Sequence, residues 1–84
     1  TGTAAAHEWE WGTTVEVQVE NLPQRDTYVL WAIADDGRRQ QAGTWGATDA
    51  RRALVRGAAA IQRDDLARVE VTDTDGELLL TFGF

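Results

Sequence analysis

The stretch His7–Glu20, HEWEWGTTVEVQVE, decides the fold class of this chain. Its odd-numbered positions carry tryptophan, threonine and valine, whereas its even-numbered positions carry mainly glutamate, glutamine and threonine. A β-strand points successive side chains to opposite faces, so this alternation gives one apolar face and one acidic face. A helical period would scatter the same side chains around its axis. The stretch therefore predicts one half-buried strand, with Trp9 and Trp11 on the core face beside the valines.

Length and composition limit the chain to one small domain without disulfides, because it has 84 residues and no cysteine. Its formal net charge is −6, from fourteen acidic side chains against eight bases, all of them arginine. A protein binds nucleic acids or anionic membrane surfaces through clustered positive charge, so neither is an expected partner of this acidic chain. No apolar run approaches the roughly 20 residues that span a bilayer. Residues 1–8 are predicted to be a linker tail, and residues 9–84 a single domain.

Further strands follow the first stretch. The sequence Asn21-Leu22-Pro23 ends the first strand, because proline cannot donate a ladder hydrogen bond. Residues 27–35, TYVLWAIAD, are apolar on both faces, which is typical of a central strand covered on both sides, or covered on one side and used for contact on the other. Asp36-Gly37 then predicts a hairpin turn, and residues 38–45 a returning edge strand.

Residues 47–66 are ambiguous between helix and strand. They contain good helix formers and candidate caps in Thr48 and Asp49, but Gly57 interrupts them and their apolar spacing fits a helical stripe only loosely. In a chain that is otherwise β, we favour a strand over residues 52–58 and a short helical turn near residues 63–66.

The end of the chain predicts a second hairpin. Residues 67–72 alternate between apolar and polar side chains, and Asp75-Gly76 is a further Asp-Gly turn. Residues 77–84 are predicted to carry one apolar face, formed by Leu78, Leu80, Phe82 and Phe84. Six to seven short strands joined by turns predict an all-β chain, a small two-layer antiparallel β-sandwich of the immunoglobulin-like kind.

No catalytic or metal-binding pattern accompanies this fold. His7 is the only histidine, and without cysteine it has no partner for a zinc site or a catalytic dyad, so we expect it to be solvated. The aspartate pairs fall mostly in turns, where aspartate bonds the local backbone. We therefore expect no enzymatic activity, no cofactor, no metal and no catalytic residue.

One surface patch has a basis in individual residues. If Tyr28 and Leu30 face the core, Trp31 faces the opposite way. An exposed strand tryptophan flanked by apolar neighbours would form a contact surface. The predicted contact patch consists of Val29, Trp31, Ile33 and Trp45.

The order of these segments resembles the extracytoplasmic C-terminal domain of transmembrane bacterial anti-sigma factors of the anti-sigma-K type. The resemblance rests on Tyr28-Val29-Leu30-Trp31, then Asp36-Gly37, then Ala42-Gly43-Thr44-Trp45, preceded by the Leu22-Pro23 break and followed by the closing hairpin. It covers about residues 11–84.

The resemblance implies a role outside the cell membrane. In this family an N-terminal cytoplasmic domain, often of a zinc-binding type, sequesters an extracytoplasmic-function sigma factor, and one membrane helix joins it to the outer β-domain. Regulated proteolysis that begins outside, by a site-1-type protease, releases the sigma factor and switches transcription on. The sigma-binding segment and the membrane helix are not in this sequence, so it is expected to contact neither sigma factor nor membrane by itself.

Three kinds of function therefore remain open. The first is an outer domain, sensory or protease-shielding, on the extracytoplasmic face of the bacterial cell membrane, with an unknown ligand and a stalk represented by residues 1–6. The alternative is an immunoglobulin-like adhesion or carbohydrate-binding module that uses the Trp31 and Trp45 side. A dimerisation domain is suggested by the two apolar faces of residues 28–34.

Overall fold

The computed structural model describes residues 2–49 and 51–84, which fold into seven β-strands and one 3₁₀ turn. The strands are β1 (Gly2–Trp9), β2 (Gly12–Glu20), β3 (Thr27–Ala34), β4 (Arg39–Gly46), β5 (Arg52–Ala59), β6 (Leu66–Asp73) and β7 (Leu78–Gly83), with the 3₁₀ turn at Arg63–Asp65. They form two antiparallel sheets, in the orders β1-β2-β5 and β4-β3-β6-β7. This confirms the predicted small β-sandwich.

The core lies between the sheets and is built from one face of each central strand. Val15, Val17 and Val19 of β2 are at most 3 % exposed, as the alternation in the sequence predicted. Opposite them lie apolar side chains of the four-stranded sheet that are almost completely buried: Leu30, Ala32, Val69 and Val71. β3 is central, as predicted, because it pairs with β4 on one side and β6 on the other.

The first stretch is a hairpin rather than one strand, and this corrects the prediction for its tryptophans. The chain turns at Glu10 and Trp11, and Trp9 pairs with Gly12. Gly12 has a φ of +151°, and a Cβ there would lie 2.1 Å from the carbonyl oxygen of Ala59. Only glycine fits such a position, because any other residue would clash with this backbone atom. Trp9 and Trp11 are exposed and do not line the core.

The prediction of a linker tail over residues 1–8 is wrong for the described residues. Gly2–Trp9 forms edge strand β1, which pairs with β2 along its whole length, from Gly2 opposite Val19 to Trp9 opposite Gly12. Its alternate alanines, Ala4 and Ala6, pack against the core. The run TAAA carries no amphipathic signal, because alanine is too small to mark a buried face. Thr1 lies outside the described residues.

The ambiguous segment 47–66 is a strand followed by a 3₁₀ turn, and both predictions for it are confirmed. Gly57 is the residue that argued against a helix, and it lies where β5 passes β4. A Cβ on Gly57 would lie 2.4 Å from the carbonyl oxygen of Ala42. Ala50, in the same segment, lies outside the described residues.

The last strand does not carry the single apolar face predicted for it. The pairing of β6 with β7 shifts between Val71 and Thr72, so Leu78 lies opposite Thr72 and is exposed. Leu80 and Phe82 pack against the core as expected. Phe84 lies beyond the strand and is largely exposed.

The strands run between two ends of the sandwich, which we name by what they carry. The N-terminal end holds Gly2, the connections at residues 21–26 and 74–77, and the described residues 47–49 and 51 between β4 and β5. The aromatic end holds the β1–β2 turn at residues 10–11, the β3–β4 turn at residues 35–38 and the segment 60–65. β1 therefore spans the molecule from one end to the other.

Candidate binding surface

The predicted contact patch is not an exposed apolar surface. Val29 and Ile33 are 7 % and 1 % exposed, although they point away from the core of the sandwich. Ile33 lies opposite Arg39 on β4 and Arg68 on β6, and long arginine stems cover apolar surface beside them. The prediction that Val29 and Ile33 flank an open contact site is therefore wrong.

Trp31 points outward as predicted, but it is partly buried and its polar atom is already bonded. Its indole Nε1 donates to Thr72 Oγ1 at 3.0 Å. The guanidinium carbon of Arg39 lies 4.4 Å from the centre of its ring, which is a cation–π contact. Glu70 bonds Arg68 at 2.8 Å and lies 3.8 Å from Arg39. These contacts cover Trp31 with polar side chains that are bonded to one another, so Trp31 does not form an open contact site.

Trp45 lies on the opposite side of the sheet from Trp31. It pairs with Tyr28 across the strands, the two rings stack with centres 5.5 Å apart, and Trp45 packs against the core. The Tyr28 hydroxyl donates to the Pro23 carbonyl at 2.9 Å and accepts from the Arg25 N–H at 3.2 Å. Trp45 therefore belongs to the packing that holds the 21–26 connection, and the structure does not bring it together with Trp31.

Two exposed tryptophans lie elsewhere, at the β1–β2 turn. Trp9 is 46 % and Trp11 54 % exposed, and their rings are nearly parallel, at 7°, with centres 6.2 Å apart. His7 adds a third ring, tilted by 57° and 5.0 Å from Trp9. We call His7, Trp9 and Trp11 the aromatic tip. Large exposed aromatic groups of this kind are typical anchors of binding surfaces.

The turn is held in place by contacts on both of its sides. The Trp9 Nε1 donates to Thr14 Oγ1 at 3.0 Å, which fixes the indole across the hairpin. Gln62 Nε2 donates to the Glu10 carbonyl at 3.1 Å, which ties the turn to the segment before β6. Gly12 keeps β2 close against Ala59 at the base of the turn. The tip therefore presents its rings from an ordered hairpin.

Acidic residues lie beside the aromatic tip in the sequence and in the neighbouring 3₁₀ turn. Glu8 and Glu10 alternate with its rings, and Asp64 and Asp65 lie in the 3₁₀ turn that Gln62 joins to Glu10. None of these four carboxylates takes part in the ion pairs found within residues 2–49 and 51–84. The nearby guanidinium of Arg63 is turned towards Phe84, 5.0 Å from the centre of its ring. The tip therefore combines aromatic faces with unpaired negative charge.

The most buried carboxylate, Asp73, has a structural role at the other end. Arg25 Nε donates to its Oδ2 at 2.9 Å, and the backbone N–H groups of Asp75 and Glu77 donate to its Oδ1, also at 2.9 Å. The Arg25 bond and then these backbone bonds lower the pKa of Asp73. Its partners come from its own turn and from Arg25 of the 21–26 connection, so Asp73 fastens the β6–β7 turn and joins it to that connection.

The described part of the chain places no three His, Cys, Asp or Glu side chains so that they could hold a metal ion. It also contains no helix of the length and apolarity that crossing a membrane requires.

The sequence contains a signal for the turn that carries the aromatic tip, but the regular alternation of residues on both sides makes this signal hard to recognise. In HEWEWG the alternation of tryptophan and glutamate continues the pattern of the valines, and only Gly12 marks the turn. A glycine at the junction of two alternating runs is a hairpin signal that we assigned to a continuous strand. Comparison of the chain with protein-family models, with curated proteins and with solved structures finds no match.

Proposed function

We propose that the chain is the outer, protease-shielding domain of a membrane-anchored anti-sigma factor that negatively regulates an extracytoplasmic-function sigma factor. The sequence resemblance over residues 11–84 supports this proposal, and the residues that carry it have defined places in the fold. Tyr28 and Trp45 stack, Asp36-Gly37 turns the β3–β4 hairpin, and Leu22 closes the core beside Pro23. A family with this fold would need these residues for packing and turns.

The observation that carries the shielding mechanism is the edge position of β1. β1 pairs with β2 alone, and the side chains that it packs against the core are alanines. Loss of two small side chains from the core costs far less than loss of a central strand. β1 is therefore the element that would leave the sandwich first, while the other six strands keep their core.

Release of β1 would lengthen the accessible stalk. Proteases cut extended, unpaired backbone, and a paired strand is closed to them until it opens. The eight residues of β1, when extended, span roughly 26–29 Å. In the proposed mechanism, a paired β1 hides this length from a site-1-type protease, and a signal that opens β1 exposes it.

A disulfide lock tests this mechanism in the complete protein. Thr3 and Gln18 are exposed cross-strand partners, so Thr3→Cys with Gln18→Cys places two thiols within bonding reach, in a domain that has no other cysteine. We expect the oxidised variant to resist signal-dependent cleavage in cells, and each single-cysteine variant to be cleaved like the parent. Cleavage of the locked variant at the parental rate would contradict the release of β1.

The identity of the protein is tested separately, by the native reading frame upstream of Thr1. We expect an apolar run of about 20 residues with arginines on its far side, preceded by a segment that bears histidine and cysteine. A signal peptide there, or a second copy of this domain, would instead favour an adhesion module.

The carbohydrate-binding alternative has lost its predicted site, because Trp31 and Trp45 lie on opposite faces of one sheet. It would have to use Trp9 and Trp11. Sugar hydroxyls both donate and accept hydrogen bonds, and two of the donors near the rings, Trp9 Nε1 and Gln62 Nε2, are already used within the protein. We therefore rank this alternative second.

A further inference from the structure

We propose that the aromatic tip is a docking site for a cationic protein segment, one that presents arginine or lysine side chains to the faces of Trp9 and Trp11. The proposal needs only the geometry of the tip, and it holds whether or not the chain is an anti-sigma factor domain.

The exposure of the tip is the first reason. Of the four tryptophans in the chain, Trp31 and Trp45 are engaged by Arg39, Thr72 and Tyr28, as described above. Trp9 and Trp11 stack on each other, and Trp9 also contacts His7 and donates to Thr14, yet about half of each residue remains open to solvent. Keeping two indoles in water is unfavourable by the hydrophobic effect, and nothing in the fold requires them there.

The negative charge near the tip indicates that its partner is cationic. The face of an indole carries negative electrostatic potential and attracts cations more strongly than any other side-chain ring does. Glu8 and Glu10 on the hairpin and Asp64 and Asp65 in the neighbouring 3₁₀ turn add negative charge, and none of the four belongs to an ion pair within the described residues. Glu8 lies on the opposite face of β1 from Trp9, so these carboxylates would attract a cationic segment to this end of the sandwich while the ring faces bind its cations.

Three other occupants fit less well. A second copy of the chain would bring like charges together at the same tip, which opposes association. A membrane of anionic lipids would be repelled for the same reason. A neutral saccharide would gain the ring faces but no attraction between opposite charges, and two of the donors near the rings are already bonded within the protein.

Binding of labelled peptides tests the proposal directly. Anisotropy of a fluorescein-labelled peptide of Arg-Gly repeats measures binding to the chain, and a Glu-Gly repeat of the same length is the matched control. We expect the arginine peptide to bind, its affinity to fall as salt is added, and the glutamate peptide not to bind. Binding that is insensitive to the sign of the peptide charge would overturn the proposal.

Two variants separate the rings from the charge. Trp9→Ala with Trp11→Ala removes both ring faces, and we expect binding at least about tenfold weaker. Glu8→Gln with Glu10→Gln keeps the rings, and we expect a loss of about two- to tenfold together with a flatter dependence on salt. Asp26→Asn with Asp49→Asn removes two exposed carboxylates from the N-terminal end, and we expect this variant to keep the parental affinity. Leu54→Ala removes an exposed apolar side chain from β5, in the sheet that contains the tip, and is also expected to leave affinity unchanged.

The remaining outcomes decide against the proposal. The parent and the Trp9→Ala, Trp11→Ala variant could bind equally while circular dichroism shows that both are folded. This result would mean that binding depends on the net charge of the chain and not on the rings. Tryptophan-dependent binding of a soluble N-acetylglucosamine hexamer in preference to the arginine peptide would make the tip a carbohydrate site. Absence of peptide binding up to about 1 mM would also overturn it.

Discussion

Gly57 lies where the two sheets of the sandwich come closest together. β5 and β4 belong to different sheets, yet a Cβ on Gly57 would lie 2.4 Å from the carbonyl oxygen and 3.2 Å from the Cβ of Ala42. In the sequence this glycine served only as an argument against a helix. Its actual role depends on a residue 15 positions earlier in the chain, and no local pattern could show that.

Gly57→Ala should therefore destabilise the domain. The neighbouring atom belongs to the backbone and cannot rotate away, so a strand must shift, at a cost of about 1–3 kcal/mol in the free energy of unfolding. Urea denaturation measures this difference. Gly83→Ala is the matched control, because a Cβ on Gly83 would meet no atom within 4 Å, and a change of less than about 0.5 kcal/mol is expected. Equal stability of the two variants would mean that β4 and β5 are not in close contact.

Trp31 shows a second limit of prediction at this scale. The alternation of β3 correctly placed it on the face opposite Leu30, but its covering comes from Arg39 and Thr72 on two neighbouring strands. Whether an outward side chain is open or covered depends on cross-strand partners, and these depend on sheet order. Sequence periodicity predicts the face to which a side chain points, but it does not predict which residues the side chain contacts.

At the scale of elements, the connection at residues 21–26 and the β6–β7 turn are fastened together by Arg25. It bonds Asp73 at 2.9 Å and Glu77 at 3.1 Å, and its own backbone N–H donates to the Tyr28 hydroxyl. Asp73 in turn accepts two backbone bonds of its own turn. One carboxylate therefore holds two connections at the N-terminal end.

This arrangement predicts a dependence of stability on pH. The pKa of Asp73 is lower in the folded chain than its ordinary value of about 3.9, chiefly because Arg25 bonds it. Its contribution to stability is therefore complete above about pH 4 and is lost as the pH falls through the folded pKa. Asp73→Asn should lower the melting temperature at pH 7, and the difference from the parent should shrink between about pH 4 and pH 2.

Asp49→Asn provides the control, since Asp49 is an exposed carboxylate in the β4–β5 connection. Its melting curve should follow that of the parent throughout the same range of pH. A constant difference between Asp73→Asn and the parent down to pH 2 would mean that the ionised carboxylate of Asp73 is not the stabilising group.

The strands and turns were predicted better than the pairing between the strands. Six of the seven strands were predicted: five from alternation, apolar runs and the Asp-Gly turns, and β5, with the 3₁₀ turn after it, from the β character of the rest of the chain. β1 was missed because its side chains from Gly2 to Ala6 are small and give no periodic signal. Its strand conformation is imposed by β2, whose backbone needs a partner on that side.

At the scale of the whole molecule, the sequence predicted the class of the fold but not which strands meet. β2 pairs with β5, and β3 with β6, across connections that cross between the sheets. These pairings put the aromatic tip and the 3₁₀ turn at the same end, and they put Gly2 at the other. The candidate binding surface exists only because of this topology, which explains why the sequence pointed to Trp31 and Trp45 instead.

β1 connects the two ends, and the proposed mechanism depends on its opening independently of the other strands. Hydrogen exchange of the native chain tests that claim most directly, because it measures the opening free energy of individual amides. Amides of β1 that donate to β2 should exchange at least about tenfold faster than those of β3 and β6, through local opening that does not scale with global stability. Equal protection of β1, β3 and β6, with β1 opening only on global unfolding, would contradict it.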